Sequence, residues 1–111
     1  MLIEKTIRDY LLEKIANVPI EVEEPTNKEK YVVFRVVERG KDDLINEVTV
    51  EFFSYGKSKL EAAMLDEEVR TAMENMAELD CIFSSKLGGG NDSYNTDLKK
   101  YRYRSYFNIY Y

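Results

Sequence analysis

The chain has 111 residues, 44% of them apolar and 33% charged, which suits one globular domain with well-solvated faces. Its net charge of −5 argues against broad affinity for nucleic acid or anionic membranes, since both demand an excess of Lys and Arg. A single cysteine and no histidine leave no intramolecular disulfide, no histidine base and no imidazole metal ligand.

The opening MLIEKTIRDY is interrupted by charge at positions 4, 5, 8 and 9, so it does not read as a signal peptide. Ile3, Ile7, Tyr10, Leu11 and Ile15 share one side of a helical wheel, which predicts an amphipathic helix over 3–16. Asn17 and Pro19 then act as a stop signal.

IEVE (20–23) is a short strand candidate, and EPTNKEK (24–30) has loop composition. YVVFRVVER (31–39) is strongly strand-like. One face carries Val32, Phe34 and Val36; the other carries Tyr31, Val33 and Val37, broken by Arg35. A strand apolar on both faces is expected to be covered on both. After the polar turn RGKDD (39–43), NEVTVEFFSY (46–55) places Val48, Val50 and Phe52 on one face and Phe53 and Tyr55 on the other. The two strands read as an antiparallel hairpin.

Ser58 and Glu61 match a capping box, and a long helix follows to about Leu79. Its inward stripe is Ala62, Leu65, Val69, Ala72, Met73 and Met76. Leu60 and Met64 fall on the opposite side, either as scattered exposed residues or as part of a subunit contact. CIFSSKL (81–87) reads as a strand in which Cys81 is a small buried hydrophobe. GGGNDSYNTDL (88–98) reads as a long loop that orders against a partner, with Gly88, Gly89, Gly90, Asn91 and Asp92 at its start. No Gly-Lys-Ser/Thr follows, so it is not a phosphate cradle.

Residues 100–111, KYRYRSYFNIYY, form a last strand. Its odd positions, including Tyr103, Phe107 and Ile109, make the natural core face. Its even positions alternate basic and aromatic groups: Lys100, Arg102, Arg104, Tyr106 and Tyr110. That face resembles a single-strand nucleic-acid platform, a protein interface, or a partner for acidic residues on a neighbouring strand. The expected architecture over 1–111 is one α+β domain in the order α-β-β-β-α-β-β, with a mostly antiparallel sheet and two helices packed on it.

Acidic residues at Asp42, Asp43, Glu47, Asp66, Glu67 and Glu68 sit on a turn and a helix exterior, where solvated charge explains them better than acid–base chemistry or metal binding. No catalytic, cofactor or metal site is expected.

The order of segments goes further. A short helix leads to "VPIEVEEP" and "KYVVF"; "NEVTVEFFSY" runs into "SKLEAAMLDEEVRTAMENM"; an aromatic-basic strand closes the pattern. This arrangement resembles the tail-completion or tail-terminator proteins of long-tailed bacteriophages and prophages. The resemblance implies a non-enzymatic virion protein, assembled in the bacterial host cytoplasm. It would form a ring, commonly a hexamer, at the head-proximal end of the tail tube. The ring stops tube polymerisation and joins the head connector, and DNA passes through its lumen without specific binding. On that reading, Arg102, Arg104, Tyr106 and Tyr110 form one subunit or partner patch, and Leu60, Met64, Glu67 and Glu68 form a complementary one. Asp42, Asp43 and Glu47 are candidates for an acidic lumen. Another head–tail connector or minor tail protein, or a single-strand nucleic-acid-binding module, are the alternative readings.

Overall fold

A computed structural model describes residues 2–25, 27–42, 44–96 and 98–111. The elements run α1 (Ile3–Lys14), β1 (Ile20–Glu21), β2 (Tyr31–Asp42), β3 (Ile45–Gly56), α2 (Lys59–Glu74), a 3₁₀ turn (Met76–Glu78), β4 (Ser84–Asp92) and β5 (Tyr101–Tyr110). This is the expected α-β-β-β-α-β-β order, with the helical end after α2 tightened into the 3₁₀ turn.

Five strands form one sheet in the order β1-β2-β3-β5-β4. Among the described residues only the two-residue β1 pairs in parallel, with β2; the other ladders are antiparallel. β5 therefore inserts between β3 and β4, which makes β3 and β5 the two central strands.

Periodicity explains what each element buries. Ile3, Ile7, Tyr10 and Leu11 of α1 are buried, and Asn17 takes the left-handed conformation (φ 61°) that ends this segment. The whole inward stripe is buried, Ala62 to Met73 on α2 and Met76 in the 3₁₀ turn. The start of α2 is fixed by the Ser58 side chain, which accepts a hydrogen bond from the Glu61 N–H at 3.1 Å. The helices share a core with Val32, Phe34, Val48, Val50, Phe52, Phe107 and Ile109 from one face of the sheet. Phe52 lies at its centre, 5.6 Å from the Phe34 ring and edge-on to Phe107 at 6.0 Å.

Three expectations are corrected. Among the described residues, the opposite sheet face has no second layer of helix or strand. Tyr31 and Val33 are buried there, but a bulge between Val36 and Glu38 leaves Val37 exposed. Cys81 is exposed rather than buried, because β4 begins only at Ser84. Finally, Gly88–Asp92 are not a loop: they continue β4, with Gly89, Gly90, Asn91 and Asp92 paired to Tyr106, Ser105, Arg104 and Tyr103. The glycines have a packing reason. The Tyr106 ring lies across Gly88 and Gly89, and Gly90 leaves room for the Arg70 guanidinium; a Cβ at Gly88 or Gly90 would overlap these groups. An aromatic ring on the neighbouring strand thus fills the space that the missing side chains leave.

Candidate interaction surfaces

Sheet register places the uncovered face in rows. One runs Tyr31–Tyr55–Arg102, the next Val33–Phe53–Arg104–Asn91, the next Arg35–Glu51–Tyr106–Gly89, and the last two Glu38–Thr49–Asn108–Lys86 and Gly40–Glu47–Tyr110–Ser84. Residues directly opposite on paired strands project to the same side. The four last-strand residues of the expected subunit patch, Arg102, Arg104, Tyr106 and Tyr110, therefore share this surface with cations from β2 and β4.

Its centre is an ion cluster. Glu51 is only 5% exposed, although it stands on the uncovered face. Arg35 donates to one carboxylate oxygen at 2.8 Å, and Arg104 donates to the other. Burial pushes the Glu51 carboxyl upward, but hydrogen bonds and attraction from Arg104 and Arg35 outweigh it and hold the pKa below the ordinary value. The Arg104 pairing realises the acidic-neighbour alternative for this face.

Arg102 turns elsewhere. Its Nε donates to the Ser93 carbonyl at 2.8 Å, and its Nη1 donates to the Tyr55 hydroxyl at 3.2 Å. At this end Tyr31 and Tyr55 stack with centroids 4.5 Å apart. Glu24 accepts from the Tyr31 hydroxyl, Lys100 donates to it at 3.2 Å, and Asn95 donates to the Tyr55 hydroxyl at 3.0 Å. The polar groups of the flanking segments thus close over one end of the face.

The two central rings of this face are already occupied. The Phe53 ring has the Arg102 guanidinium at 4.6 Å and the Arg35 guanidinium at 5.9 Å. Tyr106 has Arg104 at 5.0 Å and lies against the β4 glycines. Base stacking needs free ring faces. These rings instead hold guanidinium planes in place.

The second predicted patch lies on the helical side of the sheet. Leu60 is 70% and Met64 62% exposed, and Glu67 and Glu68 are also exposed. Met64, Glu67 and Glu68 form one wall of a groove of about 730 Å³ between α2 and the end of α1. Tyr10, Ile15, Ala16 and Ala72 add apolar surface to it. The Tyr10 hydroxyl donates to the Ala72 carbonyl at 3.0 Å, and Lys14 pairs with Glu78 at 2.9 Å, so both helices are fixed around the groove. Leu60 stands outside its lining. Neither Glu67 nor Glu68 has an ion pair among the described residues.

The third predicted group is not assembled by the described structure. Glu47 faces the open sheet and accepts from the Tyr110 hydroxyl at 3.1 Å, which raises the Tyr110 pKa. Asp43 and the Asp42 side chain lie outside the described residues. Among those residues no cluster of His, Cys, Asp and Glu could hold a metal ion, and no helix is long and apolar enough to cross a membrane.

Asp66 and Glu51 give the fold opposite pH responses. Asp66, expected on the helix exterior, is instead buried on α2, paired with Arg70 at 2.7 Å; Ser105 faces the carboxylate without closing a hydrogen bond. Burial raises its pKa beyond what Arg70 and Ser105 offset, and neighbouring Glu67 adds to the rise. Its charged form therefore opposes folding above the raised value, and that penalty vanishes below the ordinary 3.8. The depressed Glu51 contributes stability above its ordinary 4.5 that is lost as pH falls through the lower folded value. Thermal melts from pH 7 downward should show these two titrations with opposite signs: a gain from Asp66, then a loss from Glu51. Asp66→Asn should remove the gain and keep the acid loss; a variant that still shows the gain would assign it to another group.

No protein-family model matches the chain, and no curated protein matches it significantly.

Proposed function

We propose that the protein is a structural component of a long-tailed bacteriophage or prophage: a tail terminator that forms a ring at the head-proximal end of the tail tube. The ring would end tube polymerisation and offer the head connector its docking surface, with DNA passing through the lumen and no chemistry performed. The observation that carries this reading is the pair of unlike faces on one small domain. A basic-aromatic face occupies the bare side of the sheet, and an acidic, partly apolar face occupies the exterior of α2 on the other side. Rings grow by head-to-tail contacts between two different patches on each subunit, and these patches have opposite charge. The order of segments that carries the resemblance is also the order of elements in the fold.

The test is negative-stain microscopy of this protein mixed with polymerising tube protein from the same genome. Tubes capped at limited length, or free rings, are the expected result. Uncapped tubes beside an indifferent monomer would move the protein to another joint of the virion. Salt-sensitive oligonucleotide binding would move it to the nucleic-acid alternative.

A further inference from the structure

We infer that the Arg35–Glu51–Arg104 cluster is the receptor for Glu67 and Glu68 of a second copy of this chain. The inference rests on the ring reading and names the residues that would make its subunit contact.

Two guanidiniums share one carboxylate in this cluster, so it carries an excess positive charge. Both Glu51 oxygens are engaged, and the described residues give neither guanidinium another acceptor. Arg104 spends its Nε on Glu51, which leaves its terminal N–H groups for a further acceptor. The Arg35 side chain is 66% exposed, so it is open to an approaching partner. Phe53 lies against Arg35 and Tyr106 against Arg104, so both planes are oriented before any ligand arrives. Lys86, on the edge strand in the row next to Arg35 and Glu51, extends the positive surface.

An anion is the fitting ligand, and a protein carboxylate is its source. The chain's net charge of −5 opposes a polyphosphate backbone. The Phe53 and Tyr106 rings, at the centre of this face, are taken by guanidiniums or glycine backbone. The same chain presents two adjacent carboxylates that have no cationic partner among the described residues, beside exposed Met64 and an apolar groove. They stand on the opposite side of the sheet from the cluster, so one copy cannot satisfy both patches. Two copies can, head to tail, and the contact repeats.

Sedimentation velocity on two variants tests this. Glu67→Lys/Glu68→Lys removes the acidic patch but keeps the receptor; Arg35→Ala weakens the receptor but keeps the acidic patch. Each alone should self-associate about thirtyfold more weakly than the natural chain, as expected when one partner of a close interfacial charge pair is lost. Mixed in equal amounts, they should form one-to-one pairs that grow no further, and added salt should dissolve these pairs. A mixture that fails to pair while the natural chain assembles would overturn this contact and leave the ring reading standing. A natural chain that stays monomeric at all concentrations and beside tube protein would overturn both. Oligonucleotide binding that disappears in Arg35→Ala would assign the cluster to phosphate and overturn the inference.

Discussion

Replacing Phe52 by alanine should cost about 3–5 kcal/mol, a large share of the roughly 5–15 kcal/mol that domains of this size hold in total. Phe52 has no exposed surface and is flanked on the two neighbouring strands by Phe34 and Ser105. Its ring meets Phe34 and Phe107, and it belongs to the same core as Leu65, Val69 and Met73 of α2. Truncation loses the burial and leaves a cavity that rigid strands on both sides cannot close. The neighbouring residue is the control. Phe53 points to the uncovered face, is half-buried, and contributes mainly through its two guanidinium contacts. Phe53→Ala should cost about 1–2 kcal/mol in the monomer. Urea denaturation of both variants at a concentration where the chain is monomeric measures the difference. Equal losses would mean that both sheet faces are covered in solution and that the bare face is not bare.

The helices and the core face were legible because each carries its own period. Ala62, Leu65, Val69, Ala72 and Met73 mark α2, and Met76 the 3₁₀ turn after it, without reference to any other segment. The Ser58–Glu61 cap marks the start of α2 in the same local way. What the sequence hid depends on pairing between distant segments. Gly88–Asp92 carry no side-chain signal for a strand; they are one because Tyr106, far along the chain, lies over the glycines. The Arg35–Glu51–Arg104 cluster requires β5 to insert beside β3, a neighbour relation that chain order does not state. The available clue was parity: Arg35 and Glu51 each interrupt an apolar strand and fall on one side of a hairpin. Two charges on the same face of paired strands, next to a third strand of alternating arginines, are a pattern worth testing in any small sheet.

The same topology limits what the aromatic-basic strand can do. Five tyrosines among the last residues suggest stacking surface when read alone. Once β5 is central, its arginines find acceptors and ring faces within the sheet. The face becomes a fixed array of charge rather than a set of free rings. A fixed array favours recognition of another fixed surface, because little side-chain freedom remains to be lost on contact.

The position of the acidic face depends in turn on how α2 leaves the sheet, and Gly56 controls that. It ends β3, is buried, and is followed within three residues by the first turn of α2. A Cβ at this point would stand 2.6 Å from the Ala62 backbone nitrogen and 2.9 Å from the Glu61 carbonyl carbon. Backbone cannot rotate away as a side chain would, so Gly56→Ala must push the start of α2 off the sheet or bend the end of β3. Overpacking of this kind costs about 1–3 kcal/mol, and the upper end applies where the obstacle is a helix already fixed by its cap. Melting should fall by about 4 °C for each kcal/mol lost. Gly40→Ala is the matched control: it also sits in a long strand, and a Cβ there meets nothing within 4 Å. That variant should melt within a degree or two of the natural chain. If Gly56→Ala were equally silent, α2 would approach the sheet less closely than the structure places it. The orientation of Glu67 and Glu68 toward a second copy would then have to be reconsidered with it.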